Sequence, residues 1–346
     1  MENHRTIVVA DHHKSTFVSQ ILDRVTGEIS LRTLKSQRSE LEPFLSGLAK
    51  PVLVFVEACR AWEWVSDLCE DLEIDIRLVN AARMPEIARS SKKTDKHDVE
   101  AMVARLRITG DLPRAYRATR AERELRGLTR RLSTLRNDRR KQLHRIHALI
   151  DARGLSAKKA LFVKADWREE MESRLSADAW LVLWSLLSQY DVVCDFMERI
   201  ESRLKELLSD REDYKRLQTI VGVGPVISAT ILAESAGIDR FSSVRKYAAY
   251  TGLVPQVRAS GGKVRLGKIT REGPADLRWA LGQAAMCSAR AKQATVIAQM
   301  YRRKKKKGKP SRVAICAAAH KLARIVYVLL TRKEDFQAKP SRRKNA

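Results

Sequence analysis

Two aspartates three residues apart, Asp95 and Asp98, open a run of helical apolar spacing and are the first residues whose types and spacing suggest chemistry. Residues i and i+3 are neighbours on a helix surface, so both carboxylates should face the same way. Like charges this close repel each other unless a shared proton or a cation relieves them, and a divalent metal ion is the obvious cation. On local sequence alone the segment is more typical of a capped helix, with Thr94 as the N-cap and acidic residues in the first turn.

Two further acidic residues, far upstream, each follow a strongly apolar strand-like run. Asp11 ends the β-branched run 6–10, and Glu57 ends the continuous apolar run 52–56. Taken singly, Asp11 is as typical of a polar strand terminus and Glu57 of an acid at a helix N-terminus. Open α/β sheets place their sites at strand ends, however, so all four carboxylates should converge. Together they predict a catalytic site for two Mg²⁺ ions about 3.5 to 4 Å apart, with Mn²⁺ as the alternative ion.

The elements that must position these residues form a mixed α/β pattern. Strands at 17–22 and 28–34 extend the first strand into an antiparallel meander around a Thr-Gly turn. The elements predicted after the meander are a helix at 39–48, the strand at 52–56, a helix at 62–72, a strand at 74–79 and a helix at the aspartate pair.

The middle of the chain is helical and basic. Apolar residues on a three-four repeat predict a long helix over 121–150, and a strict heptad seam runs from Leu186 to Leu207. Two such helices joined by a turn make either an antiparallel hairpin or a dimerisation coiled coil, and an ordinary helical-bundle core fits equally well.

A third region carries a glycine turn and a segment rich in cations. Gly222 and Gly224 break one helix and start the next, which resembles the helix-hairpin-helix module, whose backbone amides meet a phosphate. A tight turn between helices is the structural alternative. Further along, a flexible cationic loop is predicted over 258–268. Helices are predicted around it at 244–250, 276–286 and 313–330.

The charge of the chain indicates a polyanionic partner. Lys and Arg number 67 against 41 acidic residues, a net charge of +26 that exceeds what solubility requires, so nucleic acid is the expected partner. The candidates for phosphate contacts, besides the two turn glycines, are Lys92, Lys93, Arg258, Lys263, Arg265 and Lys268. Basic runs at 302–307 and 342–344 add to them.

Other classes of protein are disfavoured. No uninterrupted apolar run reaches the roughly 18 residues of a membrane span, and the N-terminus does not read as a signal peptide, so a cytoplasmic location without a membrane partner is expected. Five scattered cysteines without a C-x-x-C pair fit reduced thiols better than disulfides, and the histidines lack zinc-ligand spacing.

The order of strands and acids resembles the RNase H-like (RuvC-like) nuclease fold in the form used by Holliday-junction resolvases. With the third region included, nearly the whole chain resembles the DEDD transposases of bacterial insertion sequences, the bridge-RNA-guided recombinase family. The motifs that carry the resemblance are Val-Val-Ala-Asp at 8–11, Val-Phe-Val-Glu-Ala at 54–58, Lys-Thr-Asp-Lys-His-Asp at 93–98, Ile-Val-Gly-Val-Gly at 220–224, and Tyr-Thr-Gly-Leu-Val-Pro at 250–255 followed by Ser-Gly at 260–261.

The resemblance implies roles for particular residues. The four carboxylates become a metal-binding tetrad, and Ser260 becomes a catalytic serine nucleophile that forms a phosphoserine with DNA, completed by a tetrad from another subunit. Gly261 and Gly262 would let the backbone approach a phosphate, while the neighbouring cations neutralise developing charge. One departure is the Cys-Arg pair at 59–60, where the family usually has a small hydroxyl residue and a glycine.

The resemblance also implies an organisation and a function. It predicts a RuvC-like nuclease domain at 1–112, a helical coiled-coil dimerisation region at 113–210, and a mainly α-helical serine transposase domain with a basic tail at 211–346. The expected protein cuts and rejoins donor and target DNA under a structured guide RNA, as a dimer or tetramer associated with the bacterial nucleoid. The alternatives are a metal-dependent junction resolvase that hydrolyses DNA with the tetrad alone, and a non-catalytic nucleic-acid-binding protein.

Overall fold

The computed structural model describes residues 3–59, 61–88, 94–155, 164–260, 263–291, 293 and 295–337, with the backbone alone at 88, 258–260 and 263–266. The chain divides into two compact units, Met1–Arg120 and Ala121–Ala346. The predicted boundaries of a three-domain division, near 112 and 210, stay a prediction.

The first unit is built on a five-stranded sheet. Its strands are β1 (Thr6–His12), β2 (Thr16–Asp23), β3 (Ile29–Lys35), β4 (Val52–Glu57) and β5 (Asp75–Val79). Their order is β3-β2-β1-β4-β5, with β1 to β3 antiparallel and β1, β4 and β5 parallel. The predicted mixed α/β sheet is confirmed, and this topology is compatible with an RNase H-like fold.

Helices cover both faces of this sheet. They are α1 (Arg38–Ser46), α2 (Trp62–Asp71), α3 (Pro85–Ala88) and α4 (Asp95–Thr109). Alternation along β1 sends Ile7 and Val9 towards the cluster that α4 closes, and Val8 and Ala10 towards the cluster of α1 and α2. Because β1 and β4 are buried on both faces, their runs at 7–10 and 52–56 are apolar without alternation.

Helix α4 begins and packs as its sequence predicts. The side chain of Thr94 caps it by accepting a hydrogen bond from the His97 amide at 3.3 Å. Its apolar face is fully or almost fully buried against β1 and β2, and comprises Val99, Met102, Val103 and Leu106. Burying that face fixes the direction in which its first turn points.

The second unit begins with a long helical pair. Helices α5 (Arg120–Asp151), α6 (Ala165–Arg174) and α7 (Ala177–Leu208) make it up, and both long helices are confirmed. Gln142 bonds to Gln189 at 2.7 Å and Arg136 to Glu201 at 3.2 Å, so α5 and α7 run antiparallel. The two long helices thus pair with each other within one chain, as in the predicted antiparallel hairpin. Dimerisation through a coiled coil stays a prediction.

The rest of the second unit is mainly helical. Its elements are α8 (Glu212–Gln218), α9 (Pro225–Ser235), α10 (Val244–Tyr250), β6 (Pro255–Ser260), β7 (Lys263–Ile269), α11 (Ala275–Arg290), α12 (Val296–Lys306) and α13 (Ser311–Arg332). By length and composition α13 could cross a membrane, a test that core helices of soluble proteins also pass. Its inner face packs with α10, α11 and α12 in the unit's core.

The cationic loop predicted over 258–268 is wrong for its described residues. Strands β6 and β7 pair antiparallel there, from Pro255↔Ile269 to Ser260↔Lys263. Cations alternate with apolar residues in this segment, and such alternation suits a two-stranded ribbon. The basic run at 302–307, expected between helices, instead forms the end of α12.

Candidate metal centre

The four carboxylates predicted from the sequence come together beside the sheet of the first unit. Asp11 and Glu57 follow directly after Ala10 and Val56, the last residues paired between β1 and β4. Both share the strand face of the apolar residues that contact the α4 cluster, so both point towards α4. Asp95 and Asp98 occupy its first turn, and their charges act on Asp11 and Glu57 respectively.

A histidine that the sequence did not suggest joins this cluster. The Nε2 atom of His13 lies 3.1 Å from Asp11 Oδ2 and 3.2 Å from Asp95 Oδ1. The signal for it was available, because residues two apart in extended backbone share a face, and His13 stands two residues after Asp11. A search for the ligand spacings of zinc sites does not detect His13, because it follows Asp11 on extended backbone.

Burial and mutual repulsion change the protonation of the carboxyls. Burial raises the pKa of Asp11, and Asp95 adds to the rise, while His13 opposes it. Burial likewise raises the pKa of Glu57 to about 7, and the nearby charges of Asp11 and Asp98 contribute. Partial burial lowers the pKa of His13, but the two carboxylates outweigh it, so the net shift is upward. These shifts are those expected of acids that need a cation to ionise together.

Two carboxylate oxygens of the cluster are buried without a hydrogen-bond donor in the described part of the chain. Asp11 Oδ1 and Asp98 Oδ1 are buried and accept no hydrogen bond within the described part of the chain. Glu57 lies within hydrogen-bonding distance of Asp11, and a hydrogen bond between the two carboxyl groups requires that one of them is protonated. Buried ionised oxygens without donors cost free energy unless paired, so the cluster fits a divalent cation held by carboxylates.

Neighbouring polar residues belong to other environments. His12 points to the opposite face of β1, where its Nε2 contacts Ser36 Oγ at 2.6 Å and burial lowers its pKa to about 4. Cys59 Sγ lies 4.0 Å from His12 Nδ1, and burial raises the pKa of this thiol, which disfavours the reactive thiolate. Glu100 is exposed and pairs with Lys96 on the outer face of α4.

The other predicted site residues are only partly described. Ser260 is the last paired residue of β6, opposite Lys263, and nothing is described of the side chains at 258–260 and 263–266. Lys268 is exposed on β7. Lys92, Lys93, Gly261 and Gly262 lie outside the described residues, as does the basic tail. The nucleic-acid contacts assigned to these positions therefore stay predictions.

The glycine turn has a structural cause of its own. Gly222 has a φ of +93°, and a Cβ there would lie 2.6 Å from Ala284 O and 2.7 Å from Ser288 N in α11. Gly224 caps α9, with Pro225 at its first position. Helices α8 and α9 flank the turn, as predicted, whereas the likeness to a helix-hairpin-helix module and phosphate binding by the turn amides stay predictions.

The family models and the relatives that match this chain are all of transposases. Residues 214–302 match the family described as "Transposase IS116/IS110/IS902 family", and residues 8–153 match a family described as "Transposase", the DEDD transposases named after IS110. The chain is 29% identical to the transposase for insertion sequence element IS1328 of Yersinia enterocolitica, over 96% of this chain and 98% of that protein.

Two other relatives extend over most of both chains. A probable family 20 transposase of Pseudomonas aeruginosa is 27% identical over 94% of this chain and 97% of its own. The transposase for insertion sequence element IS1111A of Coxiella burnetii is 24% identical over 88% of this chain and 85% of its own. The matched segment 8–153 contains all four converging carboxylates, and the matched segment 214–302 contains the glycine turn and the β6–β7 hairpin.

Proposed function

The chain belongs to the IS110/IS116 family of insertion-sequence transposases, and from that premise we propose that it cuts and rejoins DNA strands with a metal-bound carboxylate tetrad and a serine nucleophile. The tetrad is Asp11, Glu57, Asp95 and Asp98, and the nucleophile is Ser260. Its substrates are donor and target DNA in the bacterial cytoplasm, at the nucleoid.

One observation carries the metal half of this proposal. Four carboxylates from two neighbouring strands and one helix end converge, and two of their buried oxygens lack a donor among the described residues. Folding alone does not require Asp11 and Glu57, since each follows the apolar run of a buried strand, whereas Asp95 and Asp98 also suit the first turn of a capped helix. An acidic cluster retained at such a cost is typical of a functional site.

The residues of the tetrad would hold Mg²⁺ ions, as carboxylate oxygens do. When bound, the ions supply charge that stabilises the attacking and leaving oxygens of a phosphodiester. Asp11 and Glu57 share a proton while no ion is bound. With the ions present, both carboxyls would ionise and direct their oxygens towards the first turn of α4. The buried face of α4 holds Asp95 and Asp98 in place opposite them.

The serine would act by direct displacement at phosphorus. Ser260 Oγ loses its proton and forms an O–P bond, while the bond from phosphorus to the departing DNA oxygen breaks and that oxygen takes up a proton. The phosphodiester energy is kept in the phosphoserine, so a DNA hydroxyl can reverse the step and join new strands. The pairing of Ser260 at the end of β6 supports this role because it puts the residue at a ribbon end.

The partners follow from charge and from the family resemblance. A net charge of +26 suits binding to a nucleic-acid backbone, and the family implies a structured guide RNA in addition to DNA. A site completed by another subunit requires a dimer, and staged exchange of two strands requires a dimer or tetramer. Separate RNase and DNase treatment of co-purified nucleic acid would distinguish RNA from DNA.

The decisive test compares Asp11→Asn and Ser260→Ala with Glu100→Gln in an excision and insertion assay. The first two variants should lose both activities, whereas Glu100→Gln should retain them because Glu100 is exposed and outside the cluster. Denatured reaction mixtures of the wild type should contain DNA covalently joined to protein. A Ser260→Ala protein that still cleaves DNA without such an adduct would favour a hydrolytic junction resolvase. A wild type that binds DNA without cutting it, and binds equally well as Asp11→Asn, would favour a non-catalytic binding protein.

A further inference from the structure

The imidazole of His13 stands between two carboxylates that come from different elements. Its Nε2 lies 3.1 Å from Asp11 Oδ2, at the end of β1, and 3.2 Å from Asp95 Oδ1, in the first turn of α4. All three atoms lie within 4.8 Å of one another. The nitrogen is thus part of the cluster and does not merely border it.

The backbone holds this side chain in place. The amide of His13 donates to Thr16 O at 2.8 Å across the start of the β1–β2 connection. Extended backbone at 11–13 puts the side chain on the face of Asp11, which is 2% exposed, while the imidazole itself is half exposed. A ligand attached to a strand end is pre-positioned, unlike one carried by a mobile loop.

The distances suit a coordination shell better than an ion pair with both acids. A single ring nitrogen carries at most one hydrogen, so two oxygens at this distance could share it only in a bifurcated hydrogen bond that points straight at neither. Neighbouring ligands around an octahedral ion at about 2.1 Å lie about 3 Å apart, which is close to both separations. The donorless Oδ1 atom of buried Asp11 adds a further oxygen to the same group.

We propose that His13 Nε2 is an additional ligand of the metal centre and makes it prefer first-row transition ions, such as Mn²⁺ and Co²⁺, over Mg²⁺. This inference rests on the proposed metal-binding tetrad. An all-oxygen set suits Mg²⁺, whereas an imidazole nitrogen favours ions later in the first-row series, in the order Co²⁺ above Mn²⁺. The nitrogen therefore sets which ion is bound and leaves the carboxylate chemistry unchanged.

The test measures ion binding by the full-length protein freed of nucleic acid. Calorimetric titration with Mg²⁺, Mn²⁺ and Co²⁺ would compare the wild type with His13→Gln, and with His97→Gln as the matched control on α4. Loss of His13 should weaken Co²⁺ binding about 10- to 100-fold and Mn²⁺ binding less, while Mg²⁺ changes within about twofold. His97→Gln should leave all three affinities unchanged.

Pulsed electron paramagnetic resonance of the Mn²⁺-loaded wild type is independent of how any variant folds. A nitrogen coupling from imidazole is expected, and it should be absent in His13→Gln and present in His97→Gln. Bound Mn²⁺ without a nitrogen coupling, or equal Co²⁺ affinities of wild type and His13→Gln, would overturn the inference and leave the tetrad intact. A wild type that binds none of the three ions would overturn the proposed metal centre itself.

Discussion

Replacing Glu57 by glutamine should stabilise the ion-free protein at pH 8 and have little effect at pH 4. Burial and the charge of Asp11 raise the pKa of Glu57 from 4.5 to about 7. The folded state therefore holds this proton more tightly than the unfolded chain, and stability is lost as the pH rises from about 4.5 to about 7. Below that window both states are protonated, so removing the ionisable group changes nothing.

The size of the effect follows from the two pKa values. A carboxyl held at about 7 instead of 4.5 loses about 3 kcal/mol of folding free energy once it is fully ionised. Solvent screening of this partly accessible side chain lowers the expected gain to about 1 to 3 kcal/mol. Glutamine keeps the shape, and its amide can donate to Asp11 as the protonated acid does.

Hydrogen exchange of the β1 and β4 amides in full-length protein, with chelator present, measures this gain in the first unit. Exchange in Glu57→Gln should slow about 5- to 150-fold at pH 8, after correction for intrinsic rates, and hardly change at pH 4. Glu100→Gln, an exposed acid on α4, is the control and should match the wild type at both values. Equal protection of Glu57→Gln and wild type at pH 8, or equal gains at both pH values, would refute the reasoning.

Three more predictions concern the second unit. Gly222→Ala should cost about 3 kcal/mol or more in urea denaturation, because its Cβ would meet the α11 backbone at 2.6 Å and its φ is +93°, whereas Gly282→Ala in α11, with open space, should be neutral or stabilising. Arg130→Ala should cost about 3 kcal/mol, since Glu234 is 1% exposed and Arg130 binds both its oxygens at 2.7 and 3.0 Å; an unchanged unfolding midpoint would contradict this. Changing the three exposed lysines at 305–307 to alanine should weaken DNA binding for every sequence alike and reduce the salt slope by about 0.9 per lost phosphate contact, measured by anisotropy; an unchanged slope would exclude the C-terminal end of α12 from the interface.

The strand-end argument predicted the main geometry of the site. Apolar runs ending in Asp11 and Glu57 predicted two strands whose acidic ends converge, and the structure pairs these strands in parallel. The i, i+3 pair at 95 and 98 predicted the helix start that lies beside them. Each inference used local patterns, periods of two and 3.6, that the backbone enforces. Confirmation of the sheet does not test the catalytic roles, which stay proposals.

The sequence did not predict features that depend on residues far away in the chain, or whose apolar pattern is interrupted by many charged residues. To predict that His13 joins the cluster, one must know that the backbone stays extended at the end of β1 and that α4 packs beside this strand end. The need for Gly222 comes from the α11 backbone, more than 60 residues away, which no local pattern reveals. The β6–β7 ribbon was predicted as a loop, and the basic run at 302–307 was not assigned to a helix, because dense cations conceal alternation and helical periodicity.

The placement of the tetrad on β1, β4 and α4 has a consequence for synthesis of the chain. The β1–β3 meander can form from neighbouring segments, but β1 must wait for β4 before Asp11 and Glu57 adjoin, and for α4 before the cluster closes. At about 5 to 20 residues per second, roughly 5 to 20 s separate translation of Asp11 from that of Asp98. A ribosome-bound fragment that ends before Asp98 has no complete cluster, so the proposed metal centre is assembled only after most of the first unit has been made.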